Sequence, residues 1–213
     1  MNIIIFGPPG AGKGTQAQNI VNNFNLHQVS TGDLLRIEIK KKTEIGKKIE
    51  QIIAQGDLVS DDIVNELLKK VITNYNYRNR IIFDGYPRNI NQAESLEIML
   101  NGDNQSINFV LFLKVTQEII EKRILGRIIC EKCNKTMNKY FNKKEIDNHE
   151  CGKNYLKKRK EDNQETIIIR YEEYIKKTKP VLDFYSSRSC FHEIDGSEKI
   201  QAITGKIQQI LKV

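Results

Sequence analysis

Long hydrophobic runs are missing from this 213-residue sequence. No apolar stretch approaches the ~18 residues that a membrane-spanning helix needs. No basic stretch precedes the apolar N-terminus, so we do not expect a cleaved signal peptide. Internal repeats, low-complexity linkers and coiled-coil heptads are missing too. The length then predicts one domain, or a core with small insertions, in a monomeric cytoplasmic protein.

Signatures of nucleic-acid binding are also scarce. The net charge is +7, and a basic balance suits any polyanion, including nucleotide phosphates. Much of the excess lies in lysine-rich helices such as residues 40–48, which is typical of a solvated face. Neither an arginine-rich tail nor an aromatic RNA-binding motif is present. Cysteine is sparse as well, and three of the four cysteines lie between residues 130 and 151. In a reducing compartment, this clustering favours a metal site over disulfides.

A glycine-rich loop near the N-terminus is the strongest motif that is present. The apolar residues 3–6 are typical of a buried strand. Residues 7–15 follow with the sequence GPPGAGKGT, and residues 16–24 have apolar positions at helical spacing. Strand, glycine-rich turn and helix together indicate a phosphate-binding loop. The alternative, a flexible surface turn with a stray lysine, leaves the coincidence of these features unexplained.

The residues of this loop suit a polyphosphate. Glycines let the backbone curl closely around an anion, so that successive N–H groups point inward. The N-terminus of the following helix adds partial positive charge. Lys13 supplies a full charge for the β- and γ-phosphates, and Thr15 offers a hydroxyl to Mg²⁺ or to phosphate. The general pattern has Ser or Thr directly after the lysine, whereas Gly14 intervenes here.

Four more short apolar strands follow, separated by helices. They are predicted at residues 27–29, 80–83, 109–113 and 191–194. This alternation favours an α/β fold with a five-stranded parallel sheet and helices on both faces. Residues 30–59, here named the helical insertion, and residues 127–162, here named the cysteine segment, fit as insertions at the ligand-binding edge. The core then comprises residues 1–29, 60–126 and 163–213.

Charged residues are predicted at the carboxyl edge of this sheet. Asp84 follows an apolar strand, which makes it a candidate partner of Mg²⁺-bound water. Arg88 projects from the edge where ligands bind in open α/β folds. The alternative for both residues is an ordinary surface turn.

Two helix boundaries are also predicted near candidate ligand-binding residues. We expect Thr31 to be the N-cap of a helix that begins at residue 32 or 33. A helix capped by Thr116 is expected to run to about Arg127. Arg123 and Arg127 would then be four residues apart and lie on one helix face.

Together these motifs resemble those of adenylate kinases of the long-lid, bacterial type, and the similarity covers essentially the whole chain. It is carried by the loop with Gly14 before Thr15, by STGD at residues 30–33, by DGYPR at 84–88, and by RKED at 159–162 with Arg170. The resemblance implies the reversible reaction ATP + AMP ⇌ 2 ADP with Mg²⁺, which serves adenine nucleotide homeostasis. It also implies that the helical insertion binds AMP and that the cysteine segment is a mobile lid.

The resemblance further implies roles for individual residues. On the ATP side it places Gly10, Ala11, Gly12, Lys13, Gly14, Thr15, Arg123, Arg127 and Glu198. On the AMP side it places Thr31, Arg36, Asp57, Leu58, Val59, Gly85, Tyr86, Pro87, Arg88, Gln92, Arg159 and Arg170. Lys13, Arg88, Arg123, Arg159 and Arg170 would be catalytic, and Asp33 and Asp84 would hold magnesium-bound water. Glu161 stands where the usual pattern has aspartate, and its longer carboxylate should still pair with an arginine.

The cysteine segment contains a metal-binding pattern. Cys130 and Cys133 are spaced as a zinc knuckle, and Cys151 follows. Zinc takes four tetrahedral sulfur or nitrogen ligands. Long-lid relatives often use a second Cys-x-x-Cys or Cys-x-x-Asp pair here, but Asn148, three residues before Cys151, is a poor ligand. His149 is therefore the preferred fourth ligand, although its spacing is tight. The alternative is a lid that has lost its metal.

Two other functions remain open on the sequence alone. One is a kinase for another nucleoside monophosphate, or one that uses GTP. The long cysteine segment argues against the short-lid pyrimidine nucleotide kinases, and Gln92 can hydrogen-bond an adenine edge. The other is a nucleotide-binding protein whose zinc knuckle binds nucleic acid. The wide spacing of Arg88, Arg123, Arg159 and Arg170 along the chain instead favours convergence on one small site.

Overall fold

A computed structural model of the chain describes residues 1–212. In chain order its strands and α-helices are β1 (Asn2–Phe6), α1 (Lys13–Phe24), β2 (His27–Ser30), α2 (Thr31–Lys40), α3 (Glu44–Gln55), α4 (Asp61–Ile72), β3 (Ile81–Asp84), α5 (Ile90–Gly102), β4 (Ile107–Lys114), α6 (Gln117–Leu125), β5 (Arg127–Cys130), β6 (Thr136–Asn138), α7 (Lys143–Asp147), β7 (Leu156–Lys157), α8 (Gln164–Glu173), α9 (Lys179–Ser186), β8 (Phe191–Asp195) and α10 (Ile200–Leu211). A π-helical turn, Tyr174–Thr178, joins α8 to α9.

The larger sheet has five parallel strands, as predicted, and the structure shows them in the order β2-β3-β1-β4-β8. Its central strand, β1, is apolar throughout and buried on both faces, which suits a strand covered by helices on two sides. Ile4 belongs to one hydrophobic cluster, with residues of α4, α5 and α9. Ile3 and Ile5 belong to a second cluster, with residues of α1 and α10. The two clusters confirm an α/β fold with helices on both faces.

The strand order positions the ligand site. From β1 the chain moves to one side of the sheet to form β2 and β3, and later crosses to the other side to form β4 and β8. A crevice forms where the winding reverses, at the carboxyl ends of the strands. The glycine-rich loop directly follows β1 and therefore lies at this crevice.

Two predicted boundaries in the helices are wrong. Ser30, not Thr31, is the N-cap of α2, because the Ser30 hydroxyl accepts a hydrogen bond from the Asp33 N–H. The Thr31 hydroxyl instead donates to the Gly85 carbonyl at 2.8 Å. Helix α6 ends at Leu125, so Arg127 is the first residue of β5 and does not share a helix face with Arg123.

The cysteine segment contains a small sheet that the sequence did not predict. Strands β6, β5 and β7 form a three-stranded antiparallel sheet. These strands are only two to four residues long, which is too short for a clear alternation of apolar and polar residues. The sheet brings the two ends of the segment together, since Cys130 pairs with Leu156.

Within residues 1–212, none of the helices is both long and apolar enough to span a membrane.

Candidate active site

A cavity of about 1700 Å³, here named the main cavity, opens at the carboxyl edge of the five-stranded sheet. It is larger than the usual pocket for one small molecule. The glycine-rich loop, the helical insertion and the cysteine segment all contribute to its wall. The predicted site residues that line it are Gly10, Ala11, Gly12, Lys13, Gly14, Thr15, Asp33, Arg36, Asp84, Gly85, Arg88, Arg123, Arg127, Arg159, Arg170 and Glu198.

The glycine-rich loop leaves the N-terminus of α1 open to the main cavity. Gly12 is the N-cap residue at φ 96°, and no side chain in the described part of the chain caps this helix. Helix N–H groups without a partner attract anions. The Lys13 side chain folds back towards the loop. Its Nζ donates to the carbonyl oxygens of Gly7 at 2.7 Å and Pro8 at 2.9 Å. The loop thus presents an ammonium group and backbone donors to one ligand.

Gly14 has a steric reason to stand between Lys13 and Thr15. A Cβ atom at residue 14 would lie 3.2 Å from Asp84 Oδ2, so glycine allows this carboxylate to approach the loop closely. Gln28 Nε2 donates to the same oxygen at 3.1 Å. Burial raises the pKa of Asp84, and the nearby Lys13 charge opposes this rise. The departure from the general loop pattern therefore serves contact with the acidic residue after β3.

Burial lowers the pKa of Lys13 to about 7. The Asp84 carboxylate works against this shift, while Arg88, Arg170 and Arg127 strengthen it by repulsion. Lys13 therefore lies in an excess of positive charge. A polyphosphate in the loop would relieve this repulsion and restore the ordinary pKa of the ammonium.

The arginines reach the main cavity from several elements. Arg127 makes two hydrogen bonds to Asp162, one from Nε at 2.7 Å and one from Nη2. Arg170 Nη1 lies 3.5 Å from the same carboxylate. Arg123 Nη1 donates to the Ala11 carbonyl at 3.1 Å, against the outer part of the loop. A single buried aspartate thus holds two of the arginines in place.

Two buried arginine atoms lack a hydrogen-bond partner in the described structure, Arg159 Nε and Arg170 Nη1. Burial and the Arg127 charge lower the pKa of Arg159 to about 9 and that of Arg170 to about 10. A buried donor without a partner destabilises the folded protein. The repulsion between several positive charges close together also destabilises it. Both costs would be removed by an anion with several oxygens, which this cluster is arranged to bind.

Ion pairs connect the cysteine segment with the helical insertion. Glu161 Oε1 lies 3.6 Å from Arg36 Nη1, so the expected pairing of this longer carboxylate with an arginine is confirmed. Arg36 also pairs with Asp33 at 2.6 Å. Lys160 Nζ donates to Glu50 at 3.0 Å. All of these residues line the main cavity, so the contacts join the two insertions at its wall.

A second cavity of about 70 Å³ lies beside the first. Its wall includes Leu58, Tyr86 and Pro87, which the resemblance places on the AMP side. Gly85, Arg88, Arg170 and Lys13 line both cavities. A Cβ atom at Gly85, whose φ is 79°, would lie 3.0 Å from the Thr31 hydroxyl and 3.1 Å from Arg88 Nη2. Glycine at this position lets Thr31 and Arg88 converge.

Four of the residues placed on the AMP side line neither cavity: Thr31, Asp57, Val59 and Gln92. Gln92 is only 2% exposed. Its Oε1 accepts from the Arg88 N–H at 2.7 Å and its Nε2 donates to Asp61 at 2.6 Å. The contacts of these four residues with AMP stay predictions.

The three clustered cysteines and His149 meet in one place. The ligand atoms of Cys130, Cys133, His149 and Cys151 all lie within 4.8 Å of one another. The Cys133 Sγ and the His149 Nε2 are 3.5 Å apart. Three sulfurs and one imidazole nitrogen form a donor set that suits zinc. By contrast, Cys190 packs, partly buried, against the hydrophobic core.

The sequence contained little indication of two contacts that hold site residues in place. Asp162 belongs to the RKED stretch, but nothing in that stretch showed that it orients Arg127 and Arg170. Gln28 lies in a short strand, and its bond to Asp84 depends on the pairing of β2 with β3. Both contacts join residues far apart in the chain, so only the fold brings them together.

Comparison with known proteins agrees with this geometry. A family model described as adenylate kinase matches residues 5–190. An adenylate kinase from Pelagibacter ubique (strain HTCC1062) is 60% identical over 213 residues, all of both chains. The adenylate kinase from Erythrobacter litoralis is 40% identical and covers all of both chains. That of Listeria monocytogenes is 36% identical and covers 99% of each.

Proposed function

This chain belongs to the adenylate kinase family, and we propose that the residues around the main cavity carry out the family's reaction. As an adenylate kinase, the protein transfers a phosphoryl group from ATP to AMP. One observation carries the assignment of the site. Lys13, Arg88, Arg123, Arg159 and Arg170 come from separate parts of the chain and line one cavity.

On the ATP side, the loop residues Gly10 to Thr15 hold the β- and γ-phosphates. The open N-terminus of α1 and the Lys13 ammonium supply the positive charge there. Glu198 contacts the adenine end of ATP, and its place in the wall of the main cavity supports this role. Arg123 and Arg127 complete the ATP side.

On the AMP side, Arg88 binds the phosphate of AMP. Arg36, Thr31, Gln92 and the stretch 57–59 hold the nucleoside, together with residues 85–87. The smaller cavity beside Arg88 supports this assignment, because Leu58 and Tyr86 line it. Arg159 and Arg170 then lie between the two phosphate groups.

The chemistry requires little of the protein beyond charge and position. The AMP phosphate attacks the γ-phosphate directly, so no side-chain nucleophile is needed. The arginines stabilise the charge that spreads over the transferring oxygens, and their planar forks bind two oxygens at once. Water must be excluded to prevent hydrolysis of ATP. We assign this task to the cysteine segment, which would act as a lid over the core, with the helical insertion as the AMP-binding unit.

Magnesium fits the oxygen donors near the loop. Thr15 carries a hydroxyl, and Asp33 and Asp84 carry carboxylates at the main cavity; such oxygen ligands are the ones that Mg²⁺ prefers, directly or through water. When bound with ATP, magnesium would neutralise phosphate charge. Thr15 would hold the ion, and the two aspartates would orient its water molecules.

Zinc fits the cluster in the cysteine segment. Cys130, Cys133, His149 and Cys151 would hold it, and it would tie the two ends of the segment together. All four cysteines are free thiols, as is usual in a reducing compartment, so we propose a cytoplasmic location. We also propose that the protein acts as a monomer, because one chain supplies every residue of the assigned site.

A coupled assay of ADP formation tests the function. With ATP as donor, AMP should be the preferred acceptor over CMP, UMP and GMP. A higher kcat/KM with one of the other monophosphates would overturn the proposed substrate. Retention of RNA or DNA on a filter at moderate salt would instead favour a nucleic-acid-binding role.

A further inference from the structure

The side-chain amide of Gln92 is held between an acceptor and a donor of the protein. Its Nε2 donates to Asp61 Oδ1 at 2.6 Å, and its Oε1 accepts from the Arg88 N–H at 2.7 Å. An ionised carboxylate only accepts hydrogen bonds, and a backbone N–H only donates them. The two contacts therefore determine which end of the Gln92 amide is nitrogen and which end is oxygen.

Further contacts hold the Asp61 carboxylate itself in place. Asn89 Nδ2 donates to Asp61 Oδ1 at 3.0 Å and to Asp61 Oδ2 at 3.1 Å. Asn89 is also the N-cap of α5, since its Oδ1 accepts from the Gln92 N–H at 2.8 Å. Four residues along α4 from Asp61, Asn65 Oδ1 accepts from the Tyr86 hydroxyl at 2.5 Å. Helix α4 is thus bonded to the chain at both Tyr86 and Gln92, and the amide has little freedom to turn over.

The Gln92 amide lies behind the wall of the second cavity. Arg88, whose backbone N–H it binds, lines that cavity together with Tyr86 and Pro87, and the proposed function assigns these residues to the AMP side. Only 2% of the Gln92 surface is exposed, so water has little access to the amide. A ligand that offered the wrong group there would leave a buried donor or acceptor without a partner, which disfavours binding.

The amide keeps part of its bonding capacity for a ligand. A primary amide has two N–H donors and two oxygen lone pairs, and Asp61 and Arg88 occupy one of each. Adenine matches the remaining donor and acceptor, because its N1 accepts and its 6-amino group donates. Hypoxanthine and guanine present the reverse pair, a donor at N1 and an acceptor at O6. An amide that cannot turn over therefore distinguishes 6-amino purines from 6-oxo purines.

We propose that Asp61 is a positioning residue that makes the AMP site prefer adenine to 6-oxo purines, by fixing the orientation of the Gln92 amide. This inference rests on the proposed function, because it concerns the same AMP site and takes Gln92 as a contact of the base. Asp61 is not among the residues that line either cavity, so it acts on the base through Gln92.

Relative rates with AMP and IMP test the proposal. In Asp61→Asn, the new amide can donate as well as accept, so Gln92 can bind it in either orientation. The ratio of kcat/KM for AMP to kcat/KM for IMP should fall roughly tenfold, as expected when a bidentate contact with a base loses its discrimination. Both substrates are measured on the same preparation, so a loss of folded protein cancels in this ratio. Asp61→Ala, which removes the carboxylate altogether, should lower the ratio as well.

Asp62→Asn is the matched control. Asp62 is the next residue in the first turn of α4, so this substitution removes the same charge from the same end of the helix. Asp62 is exposed, whereas the Gln92 amide bonds to Asp61 and Arg88. Asp62→Asn should therefore keep the AMP-to-IMP ratio of the unmodified protein.

Equilibrium binding and a double substitution show whether Asp61 acts through Gln92. Calorimetry without ATP should give the same roughly tenfold fall in the preference of Asp61→Asn for AMP over IMP, while its Kd for ATP stays constant. Gln92→Leu should lose the preference by itself. Adding Asp61→Asn to Gln92→Leu should then change the ratio no further, because the two residues act as one unit.

The outcomes separate this proposal from the proposed function. An unchanged AMP-to-IMP ratio in both Asp61 variants, an equal fall in Asp62→Asn, or a further fall when Asp61→Asn is added to Gln92→Leu would overturn the positioning role. If the unmodified protein used IMP as well as AMP, or neither of them, the proposed substrate itself would be wrong.

Discussion

At the scale of single residues, Lys13 occupies a position that favours ligand binding over stability. Its ammonium is buried among arginines, and burial lowers its pKa from 10.5 to about 7. The backbone carbonyls of Gly7 and Pro8 accept its hydrogen bonds. Nevertheless, the free protein carries unbalanced positive charge around the loop. The same charge would attract the phosphates of ATP.

Replacement of Lys13 by methionine should abolish most turnover. We expect kcat/KM to fall roughly 10³-fold or more, which is typical of losing a preorganised electrostatic stabiliser. A coupled ADP-formation assay measures this loss. The exposed residue Lys47, which pairs with Glu44 on the surface, provides the control, and Lys47→Met should keep full activity. Normal turnover in a folded Lys13→Met protein would refute the assigned role.

The same substitution should change how stability depends on pH. Because the pKa of Lys13 is lower in the folded state than in the unfolded state, the unfolded chain binds more protons between about pH 7 and pH 10.5. The cost of burying this lysine is therefore full below about pH 7 and is relieved as the pH rises. Lys13→Met should gain most in Tm over the parent protein near pH 6–7. The advantage should shrink towards pH 10, and thermal unfolding across this range measures it. A pH-independent difference would contradict the lowered pKa.

Binding of ATP should also protonate Lys13. Because the pKa of Lys13 is about 7 in the free protein, its side chain is mostly a neutral amine at about pH 8, and bound phosphate favours the charged ammonium. Calorimetry in buffers of different ionisation enthalpy should show uptake of up to about one proton per ATP. Lys13→Met should show none from this source. Buffer-independent heats for the parent protein would contradict the prediction.

At the scale of elements, we expect the stability of the cysteine segment to depend on the proposed zinc site more than on its small sheet. Strands β5, β6 and β7 provide few backbone hydrogen bonds, and short sheets of this size are marginal alone. The cluster of three cysteines and His149 joins β5 to the residues between α7 and β7. A bound metal would therefore replace the hydrophobic core that this segment lacks.

The protein purified without chelator should contain about one equivalent of zinc, as expected for a structural site. Removal of the metal, or the double substitution Cys130→Ser and Cys133→Ser, should lower thermal stability more than the initial rate at low temperature. None of these residues is assigned to the chemistry, which is why the rate should be spared. His149→Ala should weaken zinc retention. Cys190→Ser, outside the cluster, is the control for loss of a thiol. Absence of zinc by elemental analysis, with unchanged melting of the double variant, would favour a lid without metal.

At the scale of the whole molecule, the helical insertion, the core and the cysteine segment meet around one concentration of positive charge. A single ligand that spans both nucleotide sites should bind best, because its phosphates are already held in line. Two adenosines joined by five phosphates should bind with one-to-one stoichiometry and raise the Tm strongly. Added salt should weaken this binding, though less than it would for exposed charges. Calorimetry that shows two independent weak sites, or none, would contradict the assigned geometry.

The sequence by itself determined the order of strands and helices and the identity of the loop. Residues 3–15 encode a buried strand followed by glycines and a lysine, and this local chemistry does not depend on the rest of the chain. The spacing of Cys130 and Cys133, which is typical of a zinc knuckle, was equally evident from the sequence. Each of these features depends only on residues that are close to one another in the sequence.

Only the tertiary structure decided which distant residues meet. The contact of Asp162 with Arg127 and Arg170, the bond from Gln28 to Asp84, and the packing of Tyr140 on Gly126 all join separate elements. The end of α6 at Leu125 was misjudged because Arg127 pairs in a sheet with Asn138, and tertiary pairing overrides local helix propensity. A local pattern carries no information on such pairs, because their energy exists only once the chain has folded.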